Sequence, residues 1–286
     1  MQFSKSVSVL IQIVAYTVAT IIAFSVWGLL PQLDDLYRLA VADLAATVFI
    51  FLCSVIMNNS SMYDPYWSVK PAVIACGCAV LFGIDSLPAM ALFSLMMLYN
   101  LRLTSNFLRD WPGLKHEDWR YVDFRKQFPK LYWLVSFSGI HLFPTVMVYL
   151  ACIPLYYGMK EPFELNWIGW LGIVITIAAI VIAYVADEQM RKFRQNPANK
   201  EKNMNEGLWK HSRHPNYFGE LLTWWGVFLI ALNSDLNLWW TGSGALAINL
   251  MFVFVSIPLM DKRSLVNRSG FDVLMKRTRS LLPFPK

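Results

Sequence analysis

Charge is scarce in this chain: 15% of its 286 residues are Asp, Glu, Lys or Arg, against about 25% in an ordinary soluble domain. With 56% hydrophobic residues and a mean hydropathy of +0.42, a water-soluble globule is excluded. Cysteine is also sparse. Cys53, Cys76, Cys78 and Cys152 sit within or at the ends of apolar runs, where thiols pack as small hydrophobes. Cys76-Gly-Cys78 lacks the two-residue spacer of a zinc or redox pair and no second pair exists, so neither a metal site nor a disulfide is expected. No Gly-x-Gly-x-x-Gly follows a strand, and Gly242-Ser-Gly244 reads as a packing or turn element. No Ser or Cys has a His partner in register, and His141, inside an apolar run, reads as a packed, hydrogen-bonded histidine. A cleaved signal, internal repeats, low-complexity tracts and a separate soluble domain are not expected either.

What is there is a series of apolar runs. A helix needs about 20 residues to cross a bilayer. Candidate spans are Val7 to Leu30, Leu39 to Met57, Val69 to Ile84, Leu87 to Leu101, Leu131 to Leu150, Trp167 to Ala186, Phe218 to Leu232 and Leu238 to Met260. The expected fold is all-α, a polytopic transmembrane bundle of about seven or eight spans. Lys and Arg collect in three segments: Arg102 to Lys130, Asp187 to Arg213, and the tail after Met260. The connections at Pro31 to Arg38, around Asp85, at Ala151 to Asn166 and at Asn233 to Asn237 carry almost none. The positive-inside rule places the basic segments and both termini in the cytoplasm. Short loops fit a bacterial inner membrane, with the endoplasmic reticulum as the alternative. The net charge of +6 and the pI near 9.1 are explained by loops beside anionic lipid, so no nucleic-acid partner is expected.

Three polar clusters interrupt the apolar pattern. Asp187, Arg191 and Arg194 follow i, i+4, i+7 spacing where the sixth run ends, so they share one helical face. That face is either a positively charged anchor with a helix salt bridge or a grip on a phosphate-rich ligand. The second cluster is GLWKHSRHPNYFGE, Gly207 to Glu220, with Arg213, His214, Asn216, Tyr217 and Glu220. Pro215 suits a helix start. Glu220 enters an apolar run ending in Trp224 and Trp225, and requires a partner such as His214 or an arginine from a neighbouring helix. The third comprises Asn58 to Pro71, Tyr99 to Arg102 and Asn106 to Arg120. An interfacial aromatic belt explains much of it, but Asp64 is not needed for an anchor. Beside a phenol such as Tyr99 it can hydrogen-bond and protonate a carbonyl oxygen.

GLWKHSRHPNYFGE, the preceding DEQMRKFR and the C-terminal RTRSLLPF resemble the C-terminal domain of the steroid 5-alpha-reductase superfamily. YDPYWSVKP, LRLTSNFLRDWPGL and HEDWRY resemble an uncharacterised multi-span branch of it, so the likeness runs from about Asn58 to the C-terminus. The resemblance implies an NADPH-dependent reductase of a carbon–carbon double bond conjugated to a carbonyl, acting on a lipophilic, steroid- or isoprenoid-like substrate. It also implies that Asp187, Arg191 and Arg194 grip the nucleotide, with Arg213, His214, Asn216, Tyr217 and Glu220 in the same cofactor site, and that Asp64 and Tyr99 are catalytic. The chain is then a single membrane domain, 1–130 supplying the substrate side and 131–286 the cofactor half. Two departures stand out: Tyr63 precedes Asp64 where steroid reductases carry Gln before Glu, and their His and Tyr of the last helix fall near Asp261 and Leu265.

Arg-His-Pro-x-Tyr-x-Gly is also similar to isoprenylcysteine carboxyl and phospholipid methyltransferases, which use S-adenosylmethionine. That cofactor has no phosphate to engage Arg191 and Arg194, and the likeness upstream through Asp64 and Tyr99 favours the reductase. A scaffold or transporter that kept the fold is the non-enzyme alternative; paired broken helices, the mark of a transporter, are not seen.

Overall fold

A computed structural model describes residues 3–282. Lys286 and the Pro283-Phe284 end of the C-terminal motif lie outside them. Helices dominate because a chain in hydrocarbon must satisfy its backbone hydrogen bonds internally. In order they are α1 (Lys5–Leu29), α2 (Asp35–Met57), α3 (Tyr66–Phe82), α4 (Leu87–Asp110), α5 (Trp119–Gln127), α6 (Tyr132–Val135) and α7 (Phe143–Lys160). They continue as α8 (Trp167–Gln195), α9 (Pro215–Leu232), α10 (Ser243–Met251), α11 (Ile257–Asn267) and α12 (Phe271–Arg277). A π-helical stretch, Ser136–Leu142, joins α6 to α7, and another, Phe252–Ser256, joins α10 to α11.

Among the described residues, seven helical segments are long and apolar enough to cross a membrane, so the chain is a multi-pass membrane protein of the expected class. Each expected run has its helix, with two differences. The run ending at Leu150 continues to Lys160 through Pro154, because Ile153, Leu155 and Tyr156 are core residues rather than loop. The seventh run forms α9, yet it is not among the seven. Its first turns carry Asn216 and Glu220, and 11 of its 18 residues are buried against protein.

The chain divides into two compact units, the first formed by Met1–Gly77 and Leu103–Ile153. Its core gathers Tyr16, Ile50, Met62, Tyr63, Tyr66, Trp111 and Leu114. Asp43 and Lys70 are buried there as an ion pair at 2.5 Å. Tyr66 donates to Asp43 at 2.8 Å and Lys70 to the Thr145 carbonyl at 2.7 Å, the pairing a membrane interior requires of charge. His141 is packed as expected: fully buried, with Nε2 2.9 Å from Ser54 Oγ and Nδ1 2.9 Å from the Ser136 carbonyl.

The second unit comprises Cys78–Arg102 and Pro154–Lys286. Glycine sets the approach of α8 to α9. A Cβ at Gly219 would lie 2.6 Å from the Ala179 carbonyl oxygen, and one at Gly226 would lie 2.8 Å from that of Gly172. Beyond α8, Trp209 packs on Ala186, Met190 and Met204 and donates its indole N–H to the Ala186 carbonyl at 2.9 Å. The C-terminal segment pairs with the turn before α9: Arg213 N–H donates to the Arg279 carbonyl at 3.0 Å and Ser212 Oγ to that of Leu281 at 2.8 Å. This explains why GLWKHSRHPNYFGE and RTRSLLPF belong to one motif set.

Candidate functional site

In the second unit, three helices contribute to one buried polar cluster. Tyr99 and Arg102 lie three residues apart on α4, hence on one face. Asp187 comes from α8 and Glu220 from the second turn of α9. Arg102 donates to Glu220 Oε2 at 2.7 Å and to Asp187 Oδ2 at 3.3 Å, and the Tyr99 hydroxyl donates to Glu220 Oε1. The Arg102 and Glu220 side chains are only 7% and 8% exposed. Trp224, one turn beyond Glu220, packs edge-on against the Tyr99 ring at 5.5 Å between centroids. Gly219 matters here because its missing side chain lets α9 approach α8 immediately before Glu220.

The cluster is not fully satisfied by protein. Among the described residues, Arg102 Nε, Trp224 Nε1 and Asn216 Oδ1 are buried without a hydrogen-bond partner. Burying such a group unpaired costs about 1–3 kcal/mol, so these two donors and one acceptor lack the partner that burial calls for. Near the start of α9, Asp261 of α11 holds both residues of the Arg213-His214 pair. Arg213 Nη2 reaches Asp261 Oδ2 at 2.6 Å, His214 Nε2 lies 3.0 Å from Oδ1, and Arg213 Nη1 donates to the Thr278 carbonyl at 2.5 Å. Tyr217 stacks on the His214 ring at 5.1 Å.

On the last turns of α8, Arg191 pairs with Glu188, while Arg194 is exposed. Arg268, at the end of α11, is half-buried. Its burial and the nearby Arg194 guanidinium push its pKa below the ordinary arginine value.

Asp64 lies in the first unit, and its phenol there is Tyr121 of α5, whose hydroxyl donates to Asp64 Oδ1 at 2.7 Å. Burial, then the Asp64 carboxyl, pushes the Tyr121 pKa well above that of a free phenol, so Tyr121 acts as a hydrogen donor across neutral pH. Two strips of sequence are tied together around it. Asn59 Nδ2 donates to the Leu114 carbonyl at 2.9 Å, Ser60 N–H to Glu117 Oε1 at 2.8 Å, and Asp118 N–H to Ser61 Oγ at 2.9 Å.

Among the expected site residues, the structure therefore brings Tyr99, Asp187 and Glu220 together and places Asn216 in the first turn of the same α9. Arg213, His214 and Tyr217 form a group around Asp261. Sequence reasoning passed over Arg102 and Tyr121 as site residues. Arg102 carried a signal, a basic residue at i+3 from Tyr99 inside an apolar helix; Tyr121 carried none beyond its place in HEDWRY.

Comparison with known proteins gives a family without an activity. Residues 50–278 match the model of a family described as a protein of unknown function, DUF1295. An uncharacterized protein of Schizosaccharomyces pombe is 28% identical over 215 residues, covering 66% of this chain and 62% of that protein. The chain thus spans less than two thirds of the length of the curated relative it matches. No solved structure matches.

Proposed function

The chain belongs to the DUF1295 family, and we propose that it is a membrane-embedded, NADPH-dependent reductase of the steroid 5-alpha-reductase type. Its substrate would be a lipophilic molecule bearing a double bond conjugated to a carbonyl. The observation that carries this reading is the buried Tyr99–Glu220–Arg102–Asp187 cluster, with an unpartnered Arg102 Nε and Asn216 Oδ1 at hand. A phosphorylated nucleotide fits that set of groups. Asn216 Oδ1 accepts from an amide or ribose hydroxyl, Asp187 accepts from a hydroxyl, and the guanidiniums at the end of α8 suit phosphate.

When bound, the cofactor supplies a hydride to the carbon β to the carbonyl. The chain's residues manage the charge that follows. The Tyr99 hydroxyl, whose one proton goes to Glu220 Oε1 in the structure, would turn from it to donate to the substrate's carbonyl oxygen, where negative charge grows as the double bond is reduced. Glu220, held by Arg102 at 2.7 Å, holds that hydroxyl in place until the carbonyl oxygen takes over its proton. Tyr99 is fully buried, which keeps water from the bond and strengthens it. Substrate admission therefore requires the packing around the ring, Trp224 included, to give way.

In this reading α9 crosses the bilayer as an eighth span, and the three basic segments and both termini face the cytoplasm of a bacterial cell, as the distribution of Lys and Arg favours. The substrate enters from the bilayer. The test is NADPH oxidation, followed by absorbance, by purified protein presented with a panel of enone lipids in detergent. Enone-dependent oxidation that falls at least about tenfold in Tyr99→Phe supports the proposal; no turnover of any enone, with S-adenosylmethionine-dependent methylation instead, replaces it by the methyltransferase reading.

A further inference from the structure

The buried Asp43–Lys70 pair of the first unit ends a string of hydrogen bonds. Tyr66 donates to Asp43 at 2.8 Å and accepts from Thr47 at 3.1 Å. Thr47 Oγ1 lies 2.9 Å from Thr145 Oγ1, and that oxygen lies 2.7 Å from the Tyr63 hydroxyl. A second string starts where water has access: Glu117 pairs at 3.1 Å with Arg125, whose side chain is 31% exposed. The Tyr132 hydroxyl donates to Glu117 at 3.0 Å and lies 2.7 Å from Ser60 Oγ, which lies 2.8 Å from Ser136 Oγ. From Ser136 Oγ it is 3.5 Å to His141 Nδ1, and Ser54 Oγ is 2.9 Å from His141 Nε2. The two strings meet at the His141 and Tyr63 rings, 4.8 Å apart between centroids.

Length, composition and direction separate these strings from ordinary packing. Asp43, Thr47 and Ser54 share one face of α2, and the first and last are about 16 Å apart along its axis. That is half of a hydrocarbon layer about 30 Å thick, whereas the ion pair itself is already satisfied by Tyr66 and the Thr145 carbonyl. Every group between the Glu117 and Asp43 carboxylates is a hydroxyl or an imidazole, able to take one proton while releasing another. In four links, Thr47–Thr145, Tyr63–Thr145, Ser60–Tyr132 and Ser60–Ser136, either oxygen can be the donor, so the bonds can reverse after a transfer. Hydrogen bonds of this kind stabilise a membrane bundle only modestly, and buried ionisable groups joined in chains are the material of proton relays.

We propose that the first unit conducts protons between water at Glu117 and the buried Asp43–Lys70 pair, with His141 as the switch between the two strings. A proton from water adds to the Glu117 carboxylate. As it passes to the Tyr132 oxygen, the Tyr132 proton passes to Ser60 and that of Ser60 to Ser136, so each O–H bond broken is matched by one formed. The Ser136 proton goes to His141 Nδ1, and rotation of the ring delivers a proton to the Tyr63 hydroxyl. The same exchange through Thr145, Thr47 and Tyr66 leaves a proton on Asp43, while Lys70 keeps the Thr145 carbonyl at 2.7 Å. The break at His141 stops the strings from leaking at rest. Asp43 faces Lys70 and Tyr66, with Tyr63 stacked on Tyr66 at 4.9 Å and the Tyr149 ring 5.9 Å from the Lys70 ammonium; His141 faces Tyr63, and Glu117 faces Arg125 and Tyr132. This proposal does not rest on the reductase reading, whose groups belong to the second unit.

The experiment is time-resolved infrared difference spectroscopy of the full-length protein in lipid nanodiscs after a downward pH jump. It follows the carbonyl stretch of a protonated carboxyl, assigned to Asp43 by isotope-labelled aspartate and by its loss in Asp43→Asn. The variants are Ser60→Ala and Tyr132→Phe, each of which removes one link and leaves both carboxylates in place. Tyr132→Phe keeps the ring that lies 3.8 Å from the Arg125 guanidinium, so it decides the matter alone if Ser60→Ala fails to fold, as unfolding temperatures will show. The expected result is an Asp43 band that reaches the wild-type amplitude in both variants but rises at least about tenfold more slowly. A merely structural role for these hydroxyls would change the unfolding temperature and leave the rate alone. Wild-type rates in Tyr132→Phe, or no Asp43 band at any pH at which the protein stays folded, would overturn the proposal.

Discussion

Replacing Arg102 by Met removes a cation from between two carboxylates and puts an apolar chain of similar length in its place. Glu220 lies 2.7 Å and Asp187 3.3 Å from the guanidinium, and their side chains are 8% and 13% exposed. Water does not reach them freely enough to take over. Breaking a buried pair by deleting one partner costs about 3–5 kcal/mol, because the remaining charge stays desolvated. For a chain of this size that corresponds to a fall of roughly 6–20 °C in unfolding temperature. Neutralising the nearer carboxylate as well, in Arg102→Met with Glu220→Gln, should return about half of the loss, since only Asp187 is then left without its cation. The assay is thermal unfolding in detergent followed by tryptophan fluorescence, for wild type, both single variants and the double. Trp224 beside Tyr99 reports on the cluster itself. Strict additivity of the two substitutions, or an Arg102→Met variant within about 1 kcal/mol of wild type, would show that these groups do not act as a coupled buried unit.

Gly219→Ala should destabilise by about 1–3 kcal/mol through overpacking, because its Cβ would meet the Ala179 carbonyl at 2.6 Å and the Ala183 nitrogen at 2.8 Å; a variant as stable as wild type would mean that α8 and α9 are not so closely packed. Tyr99→Phe should slow turnover while leaving NADPH affinity nearly intact, read from kcat and an independent Kd; equal loss of both would remove the catalytic role of the hydroxyl. Tyr121→Phe leaves Asp64 without its 2.7 Å donor and should cost about 1–3 kcal/mol in unfolding experiments. Asp64→Asn should cost less, since an amide still hydrogen-bonds the phenol, and the reverse order would contradict that geometry.

The helices were legible because apolar runs of membrane length leave the backbone few alternatives. One run read as too short: it was expected to end at Leu150, whereas α7 continues to Lys160 through Pro154 on the strength of its buried flanks. At α9 the expected run has its helix, less apolar over its length than the other seven and more buried against protein. At the site, chemistry was readable and pairing was not. That Glu220 needs a partner followed from its apolar setting, and an arginine of a neighbouring helix was one of the two candidates. Choosing Arg102 required a contact across 118 residues of sequence, while the other candidate, His214, is taken by Asp261. Asp64 presented the same difficulty. A phenol was expected beside it, but the one bonded in the first unit is Tyr121, 57 residues away on a short helix that no apolar run announces. Asp261 shows how a departure from a resembled pattern acquires meaning. Where the resemblance places a histidine, this chain has a carboxylate that binds Arg213 and His214 instead.

The most direct test of the central claim is thermal stabilisation of the detergent-purified protein by NADPH, NADH and S-adenosylmethionine, each compared with an Arg191→Ala, Arg194→Ala variant. The account predicts stabilisation by NADPH above that by NADH, lost in the variant, and none by S-adenosylmethionine. Stabilisation by S-adenosylmethionine alone would contradict it and make the protein a methyltransferase.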